Sequence, residues 1–379
     1  MGKRALATAG AAVGILVLTA CTPPAPTPTP TAQPFDTAKV EAAFQEAAAD
    51  LDQVGALLLV RTAAGDFTSS YGTAERGTET PPSADMSFRI GSNTKTFTGT
   101  VILQLAQEGR LALDDPVSKY RADVPNGDDI TIAQLLEMRA GLASYTFSDA
   151  WSQAAFEDPY RVWSPEEVAA IGLGLPPDFA PGTRYEYSNT NTVLLGLIAE
   201  QLDGEPLARI FHDRLFEPLG LEHTYLPEAD DAELPAPRAH GYADVQSVGQ
   251  DATGFNPSWG WAAGGAVSTA EDLATWAAAL TDGSLLDPAM QTLRIASVRS
   301  MPTDPDSPTW AGWGYGLGLA LVDGYYGHTG ELPGYNSFMG SSPAAGMQII
   351  VWANYAPAPD GRNPANEIAD AVIAALGTA

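Results

Sequence analysis

Ser92 and Lys95 stand three residues apart in the stretch RIGSNTKTFTG, residues 89–99, of a chain that has only four lysines among 379 residues. Positions i and i+3 project to the same side of a helix, so the Lys95 amine can reach the Ser92 hydroxyl. A lysine held where water is scarce loses part of its preference for charge, and its neutral amine can take the serine proton and make a nucleophile. A helix starting here would add backbone N–H groups and positive potential where an oxyanion forms. Serine near lysine is common, and the spacing alone also describes a surface coincidence. Of Lys39, Lys95 and Lys119, only Lys95 has a serine three residues before it.

Two further stretches carry groups of the right chemistry. In YEYSNTNTVLLGL, residues 185–197, Tyr187 and Asn189 precede an apolar helix. A phenol can relay a proton to a leaving group and an amide can hold a substrate carbonyl, although Ser188, Asn189 or Thr190 would equally serve as a plain N-cap. In GYYGHTGELPGYN, residues 324–336, His328, Thr329 and Gly330 end an expected strand. Glycine there lets a strand edge approach a substrate closely, with the Glu331 N–H as an oxyanion donor and His328 and Thr329 as hydrogen-bonding groups. The same glycines could simply form a turn. Trp259 and Trp261, before Gly264 and Gly265, either line a cleft or pack in the core. No G-x-S-x-G elbow, H-E-x-x-H pair or phosphate-binding glycine loop occurs, and the four histidines are scattered, so no metal or nucleotide cofactor is implied.

These groups need elements to position them. AKVEAAFQEAAADL (38–51) has helical spacing, and GALLLVRT (55–62) and DFTSSYG (66–72) read as two strands about a Gly turn. GYGLGLALV, GYYGHTG, YNSFMGSS and MQIIVWAN read as later strands, and NPANEIADAVIAALG closes as a helix. Residues 94–108 form an expected amphipathic helix with Phe97, Val101 and Leu105 at i, i+4 spacing, stopping at Gly109. TIAQLLEM, SPEEVAAIGLG, NTVLLGLIAEQL, EPLARIFHDRLF and STAEDLATWAAAL are further helix candidates, the last with Ser268 and Glu271 as a capping box. The fold class expected is α/β (α+β): an antiparallel sheet built from both termini (about 35–93 and 300–379), flanked by helices, with an all-helical insertion (about 94–299).

Composition limits the partners. With 46 acidic against 19 basic side chains, a net charge of −27 and no Lys/Arg-rich patch, a nucleic-acid partner is not expected. Lys3 and Arg4 precede an apolar run from Ala5 to Leu18, too short for a stable bilayer span, which reads as a signal peptide over 1–20. The following LTAC, ending at Cys21, resembles the lipobox of bacterial lipoproteins, so Cys21 is the expected lipidation site and the protein is expected outside the cytoplasm on a membrane anchor. Residues 21–34 alternate proline with small polar residues and read as a Pro/Thr-rich stalk, ahead of a domain over 35–379. A single cysteine allows no intrachain disulfide.

Taken together and in this order, Ser-x-x-Lys, Tyr-x-Asn and His-Thr-Gly resemble the serine β-lactamase and penicillin-binding protein superfamily, and most of all its class C β-lactamase and D-alanyl-D-alanine carboxypeptidase branch, which also contains esterases. FRIGSNTKTFT, LLEMRAGL, EPLGLEHTYLP and GGAVSTAEDLATW extend the resemblance over nearly the whole chain after the stalk. It implies a β-lactamase/transpeptidase-like fold, Ser92 as acylated nucleophile, Lys95 as base, Tyr187 as proton relay, Asn189 as substrate-amide contact and His328-Thr329-Gly330 as an edge-strand motif. The implied substrate is a small molecule or peptide: a D-Ala-D-Ala cell-wall peptide first, an ester or β-lactam next. A penicillin-binding lipoprotein without turnover is the reading of another class. His328 stands where most β-lactamases have lysine, which favours the carboxypeptidase and esterase side. Against a free substrate carboxylate, no Arg or Lys occurs between Arg299 and Arg362.

Overall fold

The computed structural model describes residues 1–2, 34–301 and 312–377. The expected signal peptide beyond Gly2, Cys21 and all of the stalk but Pro34 lie outside them. Ala32–Ala379 make one compact unit. Among the described residues no helix is long and apolar enough to cross a membrane.

An eight-stranded antiparallel sheet is assembled from the two ends of the chain. Its strands are β1 (Gly55–Thr62), β2 (Gly65–Gly72), β3 (Arg299–Ser300), β4 (Trp313–Tyr315), β5 (Ala320–Val322), β6 (Tyr325–Leu332), β7 (Tyr335–Ser342) and β8 (Met347–Ala353). They lie in the order β2-β1-β8-β7-β6-β5-β4-β3. The join between the termini is β1 on β8, with Leu58 opposite Val351. The run GALLLV is apolar throughout because β1 is covered on both faces. Leu58 and Val60 pack with Val40 and Phe44 of helix α1 (Thr37–Asp50) and with the closing helix, whereas Leu57 and Leu59 belong to the larger core on the other face.

That larger core is organised around α2 (Thr94–Gln107). Every residue from Thr94 to Leu105 is buried, so α2 is a central helix and not the amphipathic one its spacing suggests. Phe97 meets Trp276 at 4.6 Å between ring centroids and Phe216 at 5.0 Å, both edge-on. Two further helices pack on this side, α3 (Asn189–Asp203) and α4 (Ala270–Asp282), and α5 (Pro364–Leu376) closes the chain beside α1.

Three local expectations are corrected. GYGLGLALV is two strands, β4 and β5, because Gly316–Leu319 leave the sheet, with Gly318 at φ +62° packed against Gly99 of α2. The cap of α4 is Thr269, whose hydroxyl accepts from the Asp272 N–H at 3.2 Å. Ser268 sits instead in a short strand, Val267–Ser268, and its hydroxyl pairs with that of Thr224. The helices Asp149–Glu157 and Pro288–Ala296 were not expected; both start at polar caps, Ser148 and Asp287, and neither buries more than one side chain.

Candidate active site

Ser92 lies in a 3₁₀ turn, Gly91–Asn93, that runs directly into α2. The turn is held by backbone shape and by three side chains. Gly91 has φ +55°, a region that strains residues with a Cβ, and a Cβ there would fall 2.4 Å from the Glu331 nitrogen. Asn93 Nδ2 donates to the Ile90 carbonyl and to Ser337 Oγ of β7, and Thr94 Oγ1 donates to the Gly91 carbonyl at 2.7 Å. The sheet and the start of α2 are thereby fixed to each other at the serine.

The sequence spacing is realised as contact. Lys95 is 1% exposed, and its Nζ lies 2.9 Å from Ser92 Oγ, 2.7 Å from Asn189 Oδ1 and 2.6 Å from the Ala263 carbonyl. Two of these three partners are carbonyl oxygens, which only accept. A neutral amine can give one N–H to each and keep its lone pair for the Ser92 proton. Burial pushes the amine well below the usual lysine range, and among the described residues it has no carboxylate partner to hold its charge. The Tyr187 ring lies over the same nitrogen, 4.7 Å from its centroid. Burial keeps that phenol protonated, well above its ordinary value, and the Glu331 charge adds to the effect.

Asn189 is the first residue of α3. Its amide also donates from Nδ2 to Thr146 Oγ1 at 3.0 Å, and its backbone N–H donates to Ser144 Oγ at 3.1 Å. It therefore orients Lys95, and it is not among the residues lining the cleft, so the expected substrate contact is replaced by a positioning one. The plain-cap reading does not hold: Ser188 occupies the cap position, but its hydroxyl makes no capping bond.

His328, Thr329 and Gly330 lie on β6, where the strand has outrun its neighbour. β5 pairs only with Tyr325–Gly327, which leaves the edge from His328 to Leu332 turned toward Ser92. His328 is buried; its Nδ1 donates to the Thr329 carbonyl at 2.6 Å, so Nε2 accepts from the Tyr315 hydroxyl at 3.1 Å. Desolvation, aided by nearby Lys95, pushes the imidazole down to about 3, so it is neutral at physiological pH. Gly330 does allow a close approach, but to a different partner: a Cβ there would lie 1.9 Å from the Ile90 carbonyl oxygen. The missing side chain lets β6 lie against the segment that carries Ser92, which brings the Glu331 N–H beside Gly91.

Ser92, Tyr187, His328, Thr329, Gly330 and Glu331 line one cleft of about 690 Å³ with Phe147, Tyr185, Tyr315, Met301 and Trp313, whereas Lys95 and Asn189 are not part of its lining. Trp261 does not line it. It opens the short helix Trp261–Gly264 at φ +33°, and its ring packs over Gly196 of α3, where a Cβ would fall 2.7 Å from it. Trp259 stacks edge-on with Trp151 at 5.0 Å, also outside the cleft. Residues that sequence reasoning missed are Gly91, Ala263 through its carbonyl, Ser144, Thr146 and Tyr315. Only Gly91, directly before the serine, and Tyr315, within the quoted GYGLGL, carried any signal.

The Beta-lactamase family profile matches residues 40–373. Penicillin-binding protein 4 of Amycolatopsis lactamdurans is 27% identical over 342 residues, covering 85% of this chain and 86% of its own. Among solved structures, a D-stereospecific amidohydrolase from Streptomyces sp. superposes with a TM-score of 0.79 at 33% identity, over 91% of this chain and all of that one. The D-amino acid amidase of Ochrobactrum anthropi SV3 in complex with L-phenylalanine gives 0.78 at 26% identity, over 90% and 98%.

Proposed function

The chain belongs to the Beta-lactamase family, with a β-lactamase/transpeptidase-like fold and hydrolase activity, and on that footing we propose that Ser92 is acylated with Lys95 as its base. The carrying observation is a fully buried amine, without a carboxylate partner among the described residues, 2.9 Å from the serine hydroxyl. Lys95 takes the Ser92 proton as Oγ attacks an amide or ester carbonyl. The resulting oxyanion is held by the Ser92 and Glu331 N–H groups, and Tyr187 gives its proton to the departing nitrogen or oxygen. Lys95, now an ammonium 4.7 Å from the Tyr187 ring, returns the proton to the phenolate. Water then attacks the acyl-enzyme by the same route and releases the acid.

Of the substrates open to this chemistry, the cleft favours amides and esters whose leaving group carries no carboxylate. No Arg or Lys lines it among the described residues, and residues 302–311 contain none. A terminal D-alanine carboxylate would find only neutral and acidic groups there. The likeness to D-amino acid amidohydrolases supports an amidase over the D-alanyl-D-alanine carboxypeptidase reading. The test is to incubate the full chain with a fluorescent penicillin, a p-nitrophenyl ester, D-phenylalanine amide and a D-Ala-D-Ala peptide, following intact mass and product. We expect Ser92 labelling, turnover of ester and amide ahead of peptide, and none of these in Ser92→Ala. Unaltered ester hydrolysis by Ser92→Ala would refute the mechanism, and peptide turnover ahead of the amide would restore the carboxypeptidase.

A further inference from the structure

Building on the acyl-enzyme reading, we propose that the Glu331 side chain selects substrates bearing a primary ammonium on the carbon next to the scissile carbonyl, as in amides and esters of amino acids with a free amino group. Glu331 follows Gly330 on the exposed edge of β6. Side chains alternate along a strand, so Glu331 shares a face with Thr329, and both line the cleft, while the buried Leu332 does not. The N–H of this residue is the proposed oxyanion donor. Its carboxylate is therefore tethered a few bonds from the carbonyl oxygen, within reach of a substituent on the adjoining carbon.

Charge in the cleft points the same way. The other acid lining it, Glu186, is paired with Arg184 at 3.2 Å, whereas Glu331 has no ion pair among the described residues. Aromatic rings, Tyr185, Tyr187, Tyr315 and Trp313, make up much of the remaining wall. Glu331 itself stays exposed at the mouth of the cleft, open to an incoming substrate; the wall beside it raises its proton affinity, and its charge is felt at the Tyr187 phenol. A carboxylate so placed gains most from a cation that donates hydrogen bonds to it. The aromatic wall also accommodates an apolar side chain on the same carbon and can face a cation. A substrate with a carboxylate at that position would be repelled.

The test compares D-phenylalanine p-nitroanilide with 3-phenylpropanoic acid p-nitroanilide, which lacks only the amine, in the wild type and in Glu331→Gln. In the wild type kcat/KM should favour the amine by about tenfold or more, the range of a charge-assisted hydrogen bond. In Glu331→Gln that preference should collapse toward one, mainly through KM of the amine substrate. A wild-type preference near one, or one undiminished in Glu331→Gln, overturns the proposal while leaving Ser92 acylation intact. A second measurement needs no variant: 2-phenylethylamine should compete with the ester substrate at least about tenfold more tightly than 2-phenylethanol, and equal inhibition overturns the assignment. If no acyl donor of any kind labels Ser92, it is the underlying mechanism that falls.

Discussion

Gly330→Ala tests how the sheet delivers its N–H group to the serine. The new methyl would sit 1.9 Å from the Ile90 carbonyl oxygen, 2.7 Å from Ser337 Oγ and 2.9 Å from the Ile90 carbonyl carbon. Cβ atoms essentially never come within 3.0 Å of another heavy atom, so β6 must back away from Ile90 by more than an ångström. The obstacle is backbone, which cannot swing aside as the tip of a side chain would. Overpacking of this kind costs about 1–3 kcal/mol of stability. The larger effect is catalytic, because the Glu331 N–H leaves its place beside Gly91, and losing one oxyanion donor lowers kcat about 10²–10³-fold, or about 2.7–4 kcal/mol. The assay is the acylation rate with a p-nitrophenyl ester, read beside thermal unfolding. Gly254→Ala serves as control, since the nearest atom to its Cβ, on the Tyr160 ring, is at an ordinary 3.9 Å. Acylation by Gly330→Ala within threefold of wild type would refute the idea that the close packing of β6 on Ile90 builds the site.

Lys95→Met should lower acylation about 10²–10⁴-fold, the usual range for a general base, and lower the unfolding temperature modestly, because the Asn189 and Ala263 carbonyl oxygens lose their donor. A fall in stability with activity retained would count against Lys95 as the base. In the wild type the amine must be neutral to act, so acylation should be full above the depressed Lys95 value and decline as pH drops through it; a flat acid limb would contradict this. His328 gives a stability effect of defined sign. Its folded value of about 3 lies below the ordinary 6.5, so the unfolded chain binds the extra proton first. Stability is full above pH 6.5 and falls toward pH 3 by up to about 1.4 kcal/mol per pH unit from this group. Denaturant unfolding of His328→Gln across that range should show a shallower loss than the wild type, and an equal slope would reject a buried neutral imidazole.

Much of the fold was legible because local pattern and burial coincide. The runs at 55–62, 335–342 and 347–353 are β-rich and bounded by turn residues, and they form β1, β7 and β8 at those places. Where local pattern is ambiguous the tertiary structure decided. Phe97, Val101 and Leu105 fit an amphipathic helix, but α2 has neighbours on all sides and buries its threonines too. Trp261 was as compatible with the cleft as with the core. The backbone turn at φ +33° and the absence of a side chain at Gly196 place its ring on α3, and neither can be read from tryptophan itself.

The sequence by itself determined which groups are available: a serine and an amine three residues apart, a phenol and an amide before an apolar helix, and a glycine-bearing strand. A short-range spacing survives folding, because three residues of a tight turn can separate Ser92 from Lys95 by only one pitch. Only the tertiary structure could strip Lys95 of water and charge partners, aim the Asn189 and Ala263 carbonyls at its N–H groups, and press β6 against Ile90. Those contacts join residues from 94 to 240 positions apart, and desolvation is a property of everything that surrounds a group. No window of sequence contains it.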